Sequence, residues 1–145
     1  LVPSIKVHDY TKEPCMSAKE ITEIVLDSLE TNQKDFYIIN FANADMVGHS
    51  GNFEATKKAL KCLDLELGKL FEQVVTKMDG TIYITSDHGN AEVMYDKKSG
   101  QPATSHTTNP VPFMMLRKSL ANKPDTLPLG GLKDIASFII KNIKD

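Results

Sequence analysis

The long amphipathic stretch from Asn52 to Lys77, with a short apolar run on either side, most narrows what this chain can become. Leu60, Leu63, Leu67, Leu70, Phe71 and Val74 recur at three- and four-residue spacing, which predicts one stripe of a helix. Asn52-Phe53-Glu54 suits the start of that helix, since an Asn side chain can accept from the free N–H groups of a first turn. Gly80 breaks it. Upstream, Asp35 to Phe41 contains Phe36-Tyr37-Ile38-Ile39, the aromatic and β-branched pattern of a strand buried on both faces. Downstream, Thr81-Ile82-Tyr83-Ile84-Thr85 reads as the next strand. Strand, long helix, strand is the crossover unit of a parallel sheet. The expectation is an α/β fold with a mostly parallel sheet flanked by helices.

The rest of the chain fits one such domain. Ser17-Ala18-Lys19-Glu20 has the Ser-x-x-Glu form of a capping box, and Ile21, Ile24, Val25, Leu26 and Leu29 predict a helix from Ser17 to Glu30. Past Gly89 the pattern turns polar. Ala91–Tyr95 and Ala103–His106 flank the turn-forming Asp96-Lys97-Lys98-Ser99-Gly100, which predicts a β-hairpin excursion from the main sheet. Val111 to Leu116 returns as a strand whose start Pro112 confines to an edge or strand end, with Met114 and Met115 read as core filler. A last helix is predicted over Lys133 to Ile143. Cys15 and Cys62 are far apart and in no C-x-x-C pattern, which predicts reduced thiols, Cys62 packed on its helix. With a net charge of -2 there is no basic footprint for nucleic acid or an anionic membrane. No apolar stretch approaches the ~20 residues of a membrane span.

Chemistry concentrates in three clusters. Asp45 and His49 lie four residues apart, so one helical turn aims both at a single point. Asp87 and His88 are adjacent at the end of the second predicted strand. In an extended chain they face opposite sides, so their convergence needs a bend, which Gly89 is placed to permit. His106 lies across the polar loop. Ligands of open parallel sheets gather at the carboxyl ends of the strands, and Asp45 and Asp87 both fall there. Five oxygen and nitrogen donors exceed what one ion needs, which predicts a two-metal site. Carboxylate and imidazole without thiolate suit manganese, zinc or a similar divalent ion. The bland reading is that Asp87 caps a turn and that the histidines, like His8, are hydrogen-bonded structural residues.

Asn43-Ala44-Asp45-Met46-Val47-Gly48-His49-Ser50-Gly51, Ile84-Thr85-Ser86-Asp87-His88-Gly89-Asn90-Ala91-Glu92 and Ser105-His106-Thr107-Thr108-Asn109-Pro110-Val111-Pro112-Phe113 resemble the cofactor-independent phosphoglycerate mutases of the alkaline phosphatase superfamily. Pro3–Val7 and Glu13–Ala18 resemble the stretch before those motifs. The resemblance implies an alkaline-phosphatase-like fold and two divalent ions, manganese first, with magnesium, cobalt or zinc as alternatives. Asp45, His49 and His106 resemble the ligands of one ion, Asp87 and His88 those of the other. It implies a cytoplasmic, monomeric glycolytic isomerase interconverting 3-phosphoglycerate and 2-phosphoglycerate through a phosphoserine.

Proteins of that family are about three times this long, and the chain begins at Leu1 rather than Met. Residues 1–145 then correspond to the C-terminal segment of the phosphatase-like domain. The nucleophilic serine, a further Asp ligand and the arginine-bearing transferase domain would lie in the remainder of the parent chain. No serine here matches the nucleophile motif, so no catalytic residue is assigned within these residues and the chain alone is predicted to be inactive. Another metal-dependent phosphatase or phosphomutase of the superfamily, or a non-catalytic metal-binding domain, stays open beside this reading.

Overall fold

The apolar spacing after Ser17 produces helix α1, Ala18–Thr31, in the computed structural model, which describes residues 1–121, 127 and 130–143. Its entry differs from the predicted capping box. The Ser17 hydroxyl donates to the Pro3 carbonyl at 3.0 Å and makes no cap bond, so it fastens the N-terminal segment to the helix instead. A short helix α2, Asn43–Gly48, leads into α3, Phe53–Phe71. The Asn52 side chain accepts from the Ala55 N–H at 3.0 Å, the cap its position predicts. A π-helical segment, Glu72–Lys77, prolongs α3. It ends where Asp79 takes a left-handed conformation at φ 56° and the Gly80 N–H closes on the Val74 carbonyl at 2.7 Å.

The predicted stripe holds in part, with Leu70 buried and Leu63, Leu67 and Val74 half-buried, but the most buried face is offset toward small residues. Ala55, Ala59, Glu66 and Leu70 are buried, whereas Leu60 and Phe71 are exposed. Small residues let α2 approach closely, and Val47, Ala55 and Ala59 form a core cluster against which Tyr10 packs. The cysteine expectation is corrected on the same face. Cys15, in the loop before α1, is joined to Cys62 of α3 by a disulfide with Cα atoms 5.4 Å apart. Packing of that loop on α3 brings together residues 47 apart in sequence, which spacing alone does not reveal.

Strand β1, Ile82–Thr85, pairs with β2, Phe113–Leu116, in antiparallel register, Ile82 opposite Leu116 and Thr85 opposite Phe113. No parallel pairing forms among the described residues. The Asp35–Phe41 run, predicted as a strand buried on both faces, has no ladder partner there, and Ile38 is 88% exposed. A buried strand needs neighbours for its backbone groups and for both its faces, and the described residues bring neither to this segment. The hairpin excursion forms as predicted. Tyr95 bridges Pro102, Gly89 bridges Thr107, and the Asp96 carboxylate accepts from the Lys98 N–H and the Ser99 hydroxyl at the turn. Met114, read as core filler, is 43% exposed because it lies on the open face of the two-stranded ladder. After a 3-10 turn, Leu132–Asp134, helix α4, Ile135–Ile143, docks on the ladder: the Phe138 ring stands edge-on to Tyr83 and Phe113, centroids 6.3 and 5.4 Å apart. No described helix is long and apolar enough to cross a membrane.

Candidate metal centre

Helix α2 is only Asn43–Gly48, yet it places the first two donors. Asp45 lies in its first turn and His49 at its C-cap, still in helical conformation, so the four-residue spacing sets His49 Nε2 3.3 Å from Asp45 Oδ1. The helix is seated by Asn43, 2% exposed, whose side-chain amide donates to the Pro14 and Cys15 carbonyls at 3.0 and 2.6 Å. His106 arrives from the return arm of the hairpin. Its Nε2 lies 3.1 Å from the same Asp45 oxygen and 3.0 Å from His49 Nε2. The three donor atoms lie within 4.8 Å of one another.

This donor set fits a divalent ion on its own chemistry. His49 Nδ1 lies 2.7 Å from the Thr104 carbonyl, and a proton donated there leaves Nε2 with its lone pair turned toward Asp45 and His106. Two imidazole nitrogens and a carboxylate oxygen, without thiolate, match manganese, cobalt or zinc.

The second predicted pair lies against the first. His88 stacks on His106 with ring centroids 3.6 Å apart. Its Nδ1 is buried without a hydrogen-bond partner, 4.0 Å from Asp45 Oδ1, while its Nε2 faces Asp87 Oδ2 at 3.5 Å. The Asp87 side chain is 83% exposed. Asp87 and His88 do converge, the backbone bending at both residues as predicted, and Gly89 has a further use beside that bend. A Cβ there would strike the Thr107 hydroxyl and the Glu92 carboxylate, so this glycine makes room for the contact between two loops.

Four residues absent from the predicted site organise it. Asn90, 5% exposed, donates to Asp45 Oδ1 at 2.7 Å. Glu92 accepts from the Asn90 N–H at 2.6 Å, from the Asn109 amide at 3.0 Å and from the Thr107 hydroxyl. All four lie within the motifs quoted above. Their roles depend on contacts between residues 45, 15 and 17 positions apart, and local spacing is blind to those. Burial raises the Asp45 carboxyl pKa, but the Asn90 hydrogen bond and the neighbouring His49, His106 and His88 outweigh it and hold the group below the usual range. Glu92 is likewise lowered, chiefly by the Thr107 hydrogen bond.

The model of the metalloenzyme superfamily matches residues 1–144. The 2,3-bisphosphoglycerate-independent phosphoglycerate mutase of Clostridium botulinum is 48% identical over 141 residues, covering 97% of this chain and 27% of its own length. That of Pseudomonas fluorescens is 45% identical over 141 residues, with the same coverage of 97% and 27%. Among solved structures, Leishmania mexicana phosphoglycerate mutase at low cobalt concentration superposes with a TM-score of 0.82 and 32% identity, over 98% of this chain and 28% of that one. The α/β, alkaline-phosphatase-like fold is therefore shared. The chain spans about 27% of the length of the curated relatives it matches. Matched over nearly all its residues by one family model, and carrying carboxylate and imidazole donors gathered at one point, this chain belongs to the metalloenzyme superfamily.

Proposed function

We propose that this chain is the C-terminal segment of the phosphatase-like domain of a phosphoglycerate mutase, the glycolytic isomerase that interconverts 3-phosphoglycerate and 2-phosphoglycerate through a phosphoserine. The observation that carries the reading is the convergence of Asp45 Oδ1, His49 Nε2 and His106 Nε2, in a chain 48% identical to such a mutase. Asp45, His49 and His106 hold one divalent ion; Asp87 and His88 contribute to a second. Manganese is the proposed ion at both, with magnesium, cobalt and zinc able to replace it. The cobalt named for the Leishmania enzyme supports an ion of this class.

Asp45, His49 and His106 would hold a divalent ion whose charge, when bound, would neutralise phosphoryl oxygens and lower the pKa of an attacking hydroxyl. The chain's own residues supply the frame for that chemistry. Asn90 fixes the Asp45 carboxylate, the Thr104 carbonyl fixes the His49 ring, and His88 lies between Asp45 and Asp87. The serine nucleophile, a further carboxylate and the arginines that grip phosphoglycerate come, in this reading, from other segments of a longer, monomeric, cytoplasmic protein.

A chimera tests the whole proposal. The segment of the Clostridium botulinum mutase that matches this chain is replaced by this chain, and 2-phosphoglycerate formation is followed in a coupled assay. Interconversion that is lost on His106→Ala supports the reading. Release of inorganic phosphate in place of interconversion would make the chain part of a phosphatase instead. A folded, inert chimera would remove the mutase assignment.

A further inference from the structure

Glu92 is an acid beside a metal centre that is not itself placed as a ligand. Both its oxygens are engaged: Oε1 accepts from the Thr107 hydroxyl and the Asn109 amide, and Oε2 from the Asn90 N–H. It lies between the two loops that meet at the centre. On one side Asn90 continues to Asp45 Oδ1; on the other Thr107 is the chain neighbour of His106. The backbone adds one bond to this buckle, from the Thr107 N–H to the Gly89 carbonyl at 2.8 Å. The space a side chain would take at Gly89 is filled by Thr107 and Glu92.

We propose that Glu92 is a positioning residue for the metal centre: its carboxylate clamps the 105–109 loop to the 86–92 loop and thereby holds His106 at the distance from Asp45 and His49 that one ion requires. The proposal rests on the reading that Asp45, His49 and His106 hold a divalent ion. The physical reason is preorganisation. His106 belongs to neither a helix nor a named strand, so no regular element fixes its direction. A ligand free to swing must be ordered on binding, which lowers affinity. Loss of partners that orient metal ligands costs roughly 10- to 100-fold in metal affinity. Glu92→Gln keeps the shape but sets an amide donor against one of three donors already present, so the clamp cannot close on all of them.

The test is calorimetric titration of the 145-residue chain with manganese chloride, for the wild type and for His106→Ala, Glu92→Gln, Thr107→Val and Thr107→Ser, with imidazole NMR resonances followed in parallel. The expected result is wild-type binding that His106→Ala abolishes and Glu92→Gln weakens roughly 10- to 100-fold, with the His106 ring resonance displaced. Thr107→Val weakens binding in the same sense, and Thr107→Ser, which restores the hydroxyl, recovers it. A purely structural staple would lower the melting temperature of Glu92→Gln and leave its affinity intact; that result overturns the inference and spares the metal-site reading. If Glu92→Gln does not fold, Thr107→Val decides by the same criterion. A folded wild-type chain that binds no manganese overturns the reading and the inference together.

Discussion

Gly48 shows how far single residues govern the centre without touching an ion. A Cβ at this position would lie 2.7 Å from Asn90 Oδ1, closer than real side chains approach. That oxygen is buried without a partner, and the same amide orients Asp45, so Gly48→Ala displaces the group that aims the carboxylate. We expect Gly48→Ala to lose about 1–3 kcal/mol of stability, the usual cost of overpacking. Manganese affinity should fall about tenfold, as for other losses of ligand orientation. Thermal melts and calorimetry check the two separately, and unchanged affinity would show that Asn90 does not steer Asp45. Acid adds a second residue-scale prediction. The Asp45 and Glu92 carboxyls are both lowered in the folded chain, so each contributes stability above its unfolded pKa, near 4, and loses it as pH falls through the folded value. Melting temperature should therefore drop below about pH 4, and less steeply in Glu92→Gln; Glu92 is exposed, so the difference is small. Parallel curves for the two proteins would remove Glu92 from the acid response. Asp45 with His49 was legible in the sequence because a helical turn is local geometry. Asn90 with Asp45 was not, because that contact exists only once the hairpin folds back on α2.

Among the elements, the Cys15–Cys62 bond ties three together. Cys15 lies before α1, Cys62 lies within α3, and the Cys15 carbonyl accepts from Asn43, the first residue of α2. Closing a loop over a separation of 47 residues restricts the unfolded chain by about 4 kcal/mol on the chain-entropy account. Dithiothreitol should therefore lower the melting temperature of the wild-type chain. Cys62→Ser should melt at the reduced value and be insensitive to reductant, and alkylation followed by mass measurement reports the bond directly. Equal melting with and without reductant would show that the bond does not stabilise the fold. Elements whose cause is local were readable beforehand: α1 from its apolar spacing, the start of α3 from Asn52, the hairpin from Asp96 to Gly100. The misreadings share one cause. The Ser17 hydroxyl turned to Pro3, Ala55 and Ala59 of α3 rather than Leu60 met α2, and Phe36–Ile39 stayed unpaired, each because tertiary neighbours, or the lack of them among the described residues, overrode a local preference.

The proposal that this chain works inside a longer protein has consequences for the whole molecule. Phe36 and Ile38 are exposed in a segment without ladder partners among the described residues, where a further strand could cover them. The chemistry points the same way. Phosphoglycerate carries a phosphate and a carboxylate, which proteins commonly grip with paired guanidinium donors, yet Arg117 is the only arginine in the chain. The isolated chain should accordingly bind manganese but form no 2-phosphoglycerate above a metal-only blank in a coupled assay. In hydrogen exchange, the backbone amides of residues 36–41, which lack ladder partners among the described residues, should exchange quickly in the isolated chain and become protected in the chimera with the Clostridium botulinum mutase. The two measurements separate the causes. Protection without turnover would mean that the sheet is completed but the metal centre is misassembled. Turnover by the isolated chain would mean that Asp45, His49, His88 and His106 work with a nucleophile of their own, and the search for it would begin at the serines beside them, Ser50, Ser86 and Ser105.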